Sequence, residues 1–396
     1  MLNLGFAAPV TLSLLQDLLP GKLPSGYNFA PSAAWVRELL CRGHRVTLYS
    51  LSREISEPLT VKGESLTVRL APWRKQGTGR DRFRLERACL RRLMAEDGCE
   101  LIHAHWTYEF ALAALDTGLP TLVTIHDLPW RVLATFRDAH RAARLLMAYE
   151  VAWRGKHFTA VSEDAARHFR RYLKPGAKID VVPNGMPDAT FDIAKTHARR
   201  GAGPVFATVL QGWSRRKNPM AALRAFQQVR AIRPEARLLM FGQDFEAGGT
   251  AQRWAREQGM EGGVTFAGAM DYEALLPRIS EEVDVVVHPS LDEALSMTAL
   301  ESLALRKPFL AGKDTPGMRQ ILDDGRAGVL VDASDPMSIA AAMLRLASDE
   351  DLRRNIAAAG YQRVQHEFRL KGVMDRYENL YCEMLRAPRG AHSTPR

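Results

Sequence analysis

The sequence predicts an α/β protein built on two parallel sheets of five or six strands, each covered by helices on both faces. Three observations carry this expectation. Short β-branched runs alternate with helix-length segments along the whole chain, the pattern of repeated strand–helix–strand units. The intervening segments, such as NPMAALRAFQQVRAI and DPMSIAAAMLRLA, repeat their apolar residues at helical spacing. And 396 residues are too many for one simple core, which points to two domains of about 200 residues.

Taken in order, MLNLGFAAPVTLSLL reads as a first buried strand and the loop after it. It lacks the basic start and small-residue cleavage pattern of a secretory signal. Further strands are expected at RVTLYSL (45–51), LIHAH (101–105), TLVTIHD (121–127), FTAVS (158–162) and IDVVPNG (179–185). A second series follows at VFATVLQ (205–211), ARLLMFG (236–242), VTFAG (264–268), VDVVVHPS (283–290), PFLAG (308–312) and AGVLVD (327–332). The polar, patternless FDIAKTHARRGAGP (191–204) marks the boundary, so the first domain is expected over 1–195 and the second over 200–370. The tail 387–396 reads as disordered.

Composition narrows the function. With 46% hydrophobic and 25% charged residues the chain is an ordinary globular protein, and no run of 18 apolar residues is present to span a membrane. Four scattered cysteines without C-x-x-C spacing suit a reduced, cytoplasmic setting and no structural metal. The net charge of +9 is uneven: residues 1–200 hold 29 Lys+Arg against 20 Asp+Glu, which leaves the remainder neutral. Much of the excess lies in RKQGTGRDRFRLERACLRRLM (74–94). If helical, it aligns Arg80, Arg84, Arg87 and Arg91 on one face, suited either to solvent or to anionic lipid head groups. No recognition motif accompanies the charge, so nucleic acid is not an expected partner.

The chemistry concentrates in HPSLDEALSMTALESLAL (288–305). Glu293 and Glu301 are eight positions apart, about 12 Å if fully helical, whereas carboxylates sharing one glycosidic bond sit within about 5–10 Å. They are therefore read as gripping opposite ends of one long ligand. In α/β sheets ligands bind beyond the carboxyl ends of strands, near helix N-termini. A helix starting near Ser296 would offer the first-turn amides of Ser296, Met297 and Thr298 to a diphosphate. A nucleotide sugar, with ribose at one end and hexose at the other, is such a ligand.

E-A-L-S-M-T-A-L-E resembles the E-x7-E motif of the retaining glycosyltransferases of family 4, which have the GT-B fold. GYNFAPSAAWVRELLCRGHRVTLYS, LIHAHW, VTIHD, AVSEDAARHF, VVPNGM, WSRRKNPMAALRAF, FGQD, VTFAG, HPSLDEA and TPGMRQIL are similar to family segments in the same order. The resemblance implies two Rossmann-like, doubly wound domains facing across a cleft, with a helix at about 372–386 crossing back to the first. It implies a hexosyltransferase in which the first domain takes the acceptor and the second the donor. Glu301 would bind the ribose hydroxyls, and Glu293 would lie beside the transferred sugar. Lys217 with Arg216 or Arg215 would neutralise the diphosphate, His126 would reach the sugar, and Gly26 would lie in a first-domain loop close to phosphate. No cofactor or metal is required. The implied partners are a nucleotide sugar and a glycan or lipid-linked acceptor, with peripheral contact at the inner face of an anionic membrane, as in cell-surface polysaccharide or glycolipid assembly. A nucleotide-sugar epimerase on the same fold and a non-catalytic nucleotide-sugar or membrane-surface binding module are the alternatives.

The sequence also departs from that pattern. Gly212 stands where the family places an arginine five residues before the lysine, Tyr27 replaces the second of two glycines, and Arg306 replaces a frequent glycine. TLSLLQDLLPGKLPSG (11–26) is a longer insert that could shape an acceptor site. His103 and His105 read as structural, and D-E-D at 349–351 as a helix cap rather than a metal motif.

Overall fold

The computed structural model describes residues 1–194 and 203–386. The expected disordered tail and most of the expected linker lie outside the described residues. By contacts the chain forms two compact units. One comprises Met1–Val161, Ala165–Gly185 and the segment from Leu370 onward; the other comprises Ser162–Asp164 and Met186–Arg369.

The first unit holds an eight-stranded sheet: β1 (Asn3–Ala7), β2 (Arg45–Ser52), β3 (Leu59–Lys62), β4 (Leu66–Pro72), β5 (Leu101–His105), β6 (Thr121–Ile125), β7 (His157–Ala160) and β8 (Ile179–Val181). Their order is β3-β4-β2-β1-β5-β6-β7-β8, all parallel except β3, which pairs antiparallel with β4. The expectation of five or six strands omits β3 and β4. β3 alternates half-buried with exposed residues at the sheet edge, so it carries no continuous apolar run to announce it.

The second unit holds six parallel strands: β9 (Val205–Val209), β10 (Arg237–Phe241), β11 (Val264–Gly268), β12 (Val285–His288), β13 (Phe309–Gly312) and β14 (Val329–Val331). Their order is β11-β10-β9-β12-β13-β14. Phe206 of β9 pairs in register with Val285 of β12, and Phe206, Val285, Val287 and Leu310 lie in one buried core with helix Pro219–Ile232. The chain order reverses between β9 and β12, which opens a crevice at their carboxyl ends.

Two expectations are corrected here, and the insert 11–26 acquires a packing role. Residues 191–193 belong to a helix, Asp188–Ile193, which buries Thr190 and Phe191; Phe191 meets the Tyr361 ring edge-on at 5.7 Å. One turn and a half is too short to show a period, which is why it reads as linker. The arginine stripe is also different. The helix is Arg84–Glu96, preceded by Arg82 and Phe83 in left-handed conformation, so Arg80 lies off it. Arg87 is paired with Glu150 at 3.4 Å and Asp116 at 3.5 Å. The insert 11–26 forms a short 3-10 helix, Leu12–Leu18, and Leu12, Leu15, Leu19 and Leu23 are buried in the first core.

The final helix, Leu370–Arg386, lies in the first unit. Leu370, Val373, Met374, Tyr377, Tyr381 and Met384 recur on one face at helical spacing and are buried there. Arg42 clamps the flank of this helix through Asp375 and Glu378, both at 2.6 Å.

Candidate functional site

The loop after β9 and the loop after β12 emerge side by side at the crevice of the second unit, and their side chains meet. Lys217 Nζ donates to Glu293 Oε1 at 2.5 Å. His288, the last residue of β12, puts Nε2 3.2 Å from the same oxygen. Its Nδ1 is buried and without a partner, so the tautomer protonated at Nε2 fits best: it donates to Glu293 and leaves the cheaper orphan, an acceptor. Arg216 Nε donates to the Asp292 carbonyl at 3.0 Å, and its terminal nitrogen lies 4.0 Å from Glu293 Oε2. Burial would raise the Glu293 carboxyl, but Lys217, the His288 hydrogen bond and Arg216 reverse this and hold it well below the usual carboxylate range.

The helix expected near Ser296 is Met297–Ala304, and Ser296 is its N-cap: its Oγ accepts from the Ala299 amide at 3.2 Å. The helical ladder begins with the Leu300 amide on the Ser296 carbonyl at 3.3 Å. Met297 and Thr298 therefore form the first turn, ahead of the ladder, where the helix dipole presents its positive end. Glu301 follows one turn on. It is buried, with the Tyr272 hydroxyl as hydrogen-bond partner; burial pushes its carboxyl up to about 7 against that bond. Tyr272 opens helix Tyr272–Glu282 and is also bonded to Thr190. The second unit thus contains an ionised, cation-clamped Glu293 and a Glu301 poised near neutrality.

His126 belongs to the first unit. Alternation along a strand puts His103 and His105 of β5 on one face, beside Thr124 and His126 at the end of β6. His105 Nδ1 and His126 Nε2 are 2.9 Å apart, and His103 bridges Tyr381 at 2.7 Å and Thr124 at 2.6 Å. Trp106 stacks on His126 with ring centroids 4.2 Å apart. Burial pulls His126 down to about 3 and keeps all three imidazoles neutral near pH 7.

Gly26 has a reason within the protein: a Cβ there would lie 2.7 Å from the Val10 carbonyl oxygen. Gly212 has φ +82°, a conformation that disfavours an arginine, and the next amide, of Trp213, is held by Asp244 at 2.9 Å. Arg306 keeps a left-handed φ of 57° that suits glycine, and its guanidinium stacks 3.6 Å from the Tyr361 ring centroid. Asp349 caps helix Glu350–Glu367 by accepting from the Leu352 amide at 2.8 Å. Sequence reading assigned no role to His288 or Tyr272. His288 could have been found from its place at the strand end, five residues before Glu293; nothing in the local sequence ties Tyr272 to Glu301.

Two doubly wound sheets, with a helix start and paired basic and acidic loops at the switch point of the second, define a two-domain α/β class of protein. Residues 33–189 match the family described as Glycosyltransferase Family 4, and residues 194–363 match Glycosyl transferases group 1. The chain belongs to this glycosyltransferase family, and its architecture is GT-B. It is 32% identical over 200 residues to D-inositol 3-phosphate glycosyltransferase of Corynebacterium jeikeium, a match covering 48% of this chain and 46% of that relative. The chain thus spans about half the length of that relative. It is 22% identical to N-acetyl-alpha-D-glucosaminyl L-malate synthase of Bacillus anthracis, over 73% of this chain and 76% of the relative. Among solved structures, sucrose-phosphate synthase from Thermosynechococcus elongatus shares the fold with a TM-score of 0.79 at 18% identity, covering 97% of this chain and 99% of that one. Anabaena HepE, solved with UDP and glucose, gives a TM-score of 0.70 at 15% identity, covering 97% and 100%. Among the described residues no helix is long and apolar enough to cross a membrane, and no three potential metal ligands cluster.

Proposed function

We propose that the protein transfers a sugar from a nucleotide-sugar donor to an acceptor hydroxyl with retention of configuration. The observation that carries this reading is the convergence of Lys217, Arg216 and Glu293 beside the first turn of helix Met297–Ala304, with Glu301 one turn further along. Lys217 and the first-turn amides suit the diphosphate, and Glu301 suits the ribose hydroxyls. The sugar then lies towards Glu293, whose negative charge stabilises an oxocarbenium-like transition state.

As the anomeric C–O bond breaks, its electron pair goes to the diphosphate oxygen. That oxygen takes the acceptor's proton while the acceptor oxygen bonds to the anomeric carbon from the same face. Lys217 stabilises the charge growing on the leaving group, so no separate metal is invoked. Neutral His126 serves as a hydrogen-bonding group for the sugar. Within this reading the acceptor is a glycan or a lipid-linked glycan, reached at the surface of an anionic membrane; the basic first half of the sequence supports that part.

A thermal-shift panel of UDP, GDP, ADP, CMP and their common sugars tests the donor site on wild type and Glu301→Ala. A shift with one nucleotide, lost in the variant, is expected. Equal affinity in both proteins would overturn the ribose assignment.

A further inference from the structure

Helices Pro129–Phe136 and Ala139–Arg154 of the first unit pack as a hairpin whose inner face is conventional: Leu145, Met147, Ala148 and Val151 are buried. Its outer face is apolar as well. Ala139, Ala142, Leu146, Tyr149 and Trp153 follow one another at intervals of three or four, a single stripe about 20 Å long at 1.5 Å per residue. Leu146 is 57% exposed and Trp153 83%. The first helix adds exposed Trp130 and Phe136, and the Trp130 indole N–H donates to the Tyr149 hydroxyl at 3.0 Å. At the tip a groove of about 370 Å³ is lined mainly by Trp130, Leu133, Ala134, Ala139 and Ala142, with Arg137 and Asp138 as its charged members. An exposed apolar stripe of this extent costs solubility and has no role in holding the fold.

Charge identifies the occupant. Between 129 and 157 the exposed side chains with a permanent charge are Arg131, Arg137 and Lys156, all cationic. The two acids there are less exposed and engaged: Asp138 with Arg141 at 3.0 Å, and Glu150 with Arg154 at 3.2 Å. Indole and phenol rings beside an aliphatic stripe, with cations flanking it, match the boundary between lipid head groups and acyl chains. We infer that the outer face of this hairpin docks the protein on an anionic bilayer, with Leu146, Tyr149 and Trp153 entering the head-group boundary. The inference rests on the membrane-side part of the proposed function. It moves the contact from the arginine-rich helix Arg84–Glu96, whose Arg87 is engaged with acids, to an amphipathic aromatic face.

The test is sedimentation of the full chain with vesicles of phosphatidylcholine alone and of phosphatidylcholine mixed with phosphatidylglycerol. Wild type, Leu146→Ser/Trp153→Ser and Arg131→Gln/Arg137→Gln are compared, with thermal unfolding as the control for folding. Wild type is expected to sediment with the mixed vesicles. The serine pair is expected to partition roughly ten- to hundredfold more weakly at any salt, the scale of two large apolar side chains. The glutamine pair should weaken binding chiefly at low salt. Wild type left in the supernatant, or an undiminished serine pair, would overturn the inference. So would a concentration-dependent dimer in light scattering that the serine pair abolishes, since the face would then belong to a second copy. Nucleotide thermal shifts on the same variants separate the two readings: they are expected to match wild type whether or not vesicle binding is lost, and their absence in wild type counts against the donor site alone.

Discussion

Lys217 Nζ lies 2.5 Å from Glu293 Oε1, with side chains only 14% and 11% exposed. The proposed phosphate cation and the proposed sugar-side carboxylate neutralise each other, so a diphosphate would compete with Glu293 for the lysine.

Removing one member should therefore hurt stability as well as binding. Lys217→Met is expected to cost about 3 kcal/mol, because a buried carboxylate loses its main cation while His288 and Arg216 compensate in part. Lys217→Met/Glu293→Gln should recover most of that without recovering transfer. Urea denaturation of Lys217→Met, Glu293→Gln and the double closes the cycle; single costs that simply add in the double would mean the pair is not coupled.

Glu301 gives a pH signature of opposite sign to ordinary carboxylates. Its folded pKa is raised to about 7, so its stabilising contribution is complete below the unfolded value of 4.5 and is lost as pH rises through about 7. Glu301→Gln should gain on wild type by roughly 3 kcal/mol between pH 4 and pH 8. Ribose hydroxyls select the ionised form, so nucleotide-sugar affinity should rise with pH up to about 7. Calorimetry with a nucleotide sugar in two buffers should show proton release at pH 6 in wild type and none from this group in Glu301→Gln.

The histidine cluster predicts acid sensitivity. Burial pulls His103 and His126 down to about 3 and depresses His105 as well, with the neighbouring imidazoles adding to the shift at His103 and His105. Their contribution is present above about 6.5 and lost as pH falls towards 3, at about 1.4 kcal/mol per pH unit for each. His105→Asn should flatten this dependence by about a third, read from denaturant midpoints between pH 6 and pH 4.5. In kinetics, His126→Ala is expected to slow transfer while leaving nucleotide affinity near wild type.

Gly212 separates backbone from charge. Both Gly212→Ala and Gly212→Arg place a side chain at φ +82° and should lower stability by about 1–3 kcal/mol, alike within error. A markedly larger loss in the arginine variant, by thermal unfolding, would show that the loop excludes the longer side chain rather than the conformation.

Local pattern made much of this legible. The second sheet's six strands are short, mostly apolar runs, and the Ser296 cap, the Asp349 cap and the buried face of Leu370–Arg386 follow from residue type and spacing. The edge strand β3 and the helix Asp188–Ile193 were not legible, because neither is long or apolar enough to show a period. The arginine-rich stretch gave a charge but not its partners, since Glu150 lies 63 positions from Arg87.

What the sequence determined by itself was the succession of strands and helices, with Lys217 and Glu293 in loops and Glu301 one turn into a helix, because those depend on neighbours along the chain. Only the tertiary structure decided how they act. The reversal of strand order between β9 and β12 sets Lys217 against Glu293 across 76 positions, and the packing of helix Tyr272–Glu282 gives Glu301 its tyrosine. Protonation state and exposure are properties of surroundings. The same residue type is held ionised at 293, near neutrality at 301, and paired in solvent-facing networks elsewhere because dielectric and neighbours differ at each place.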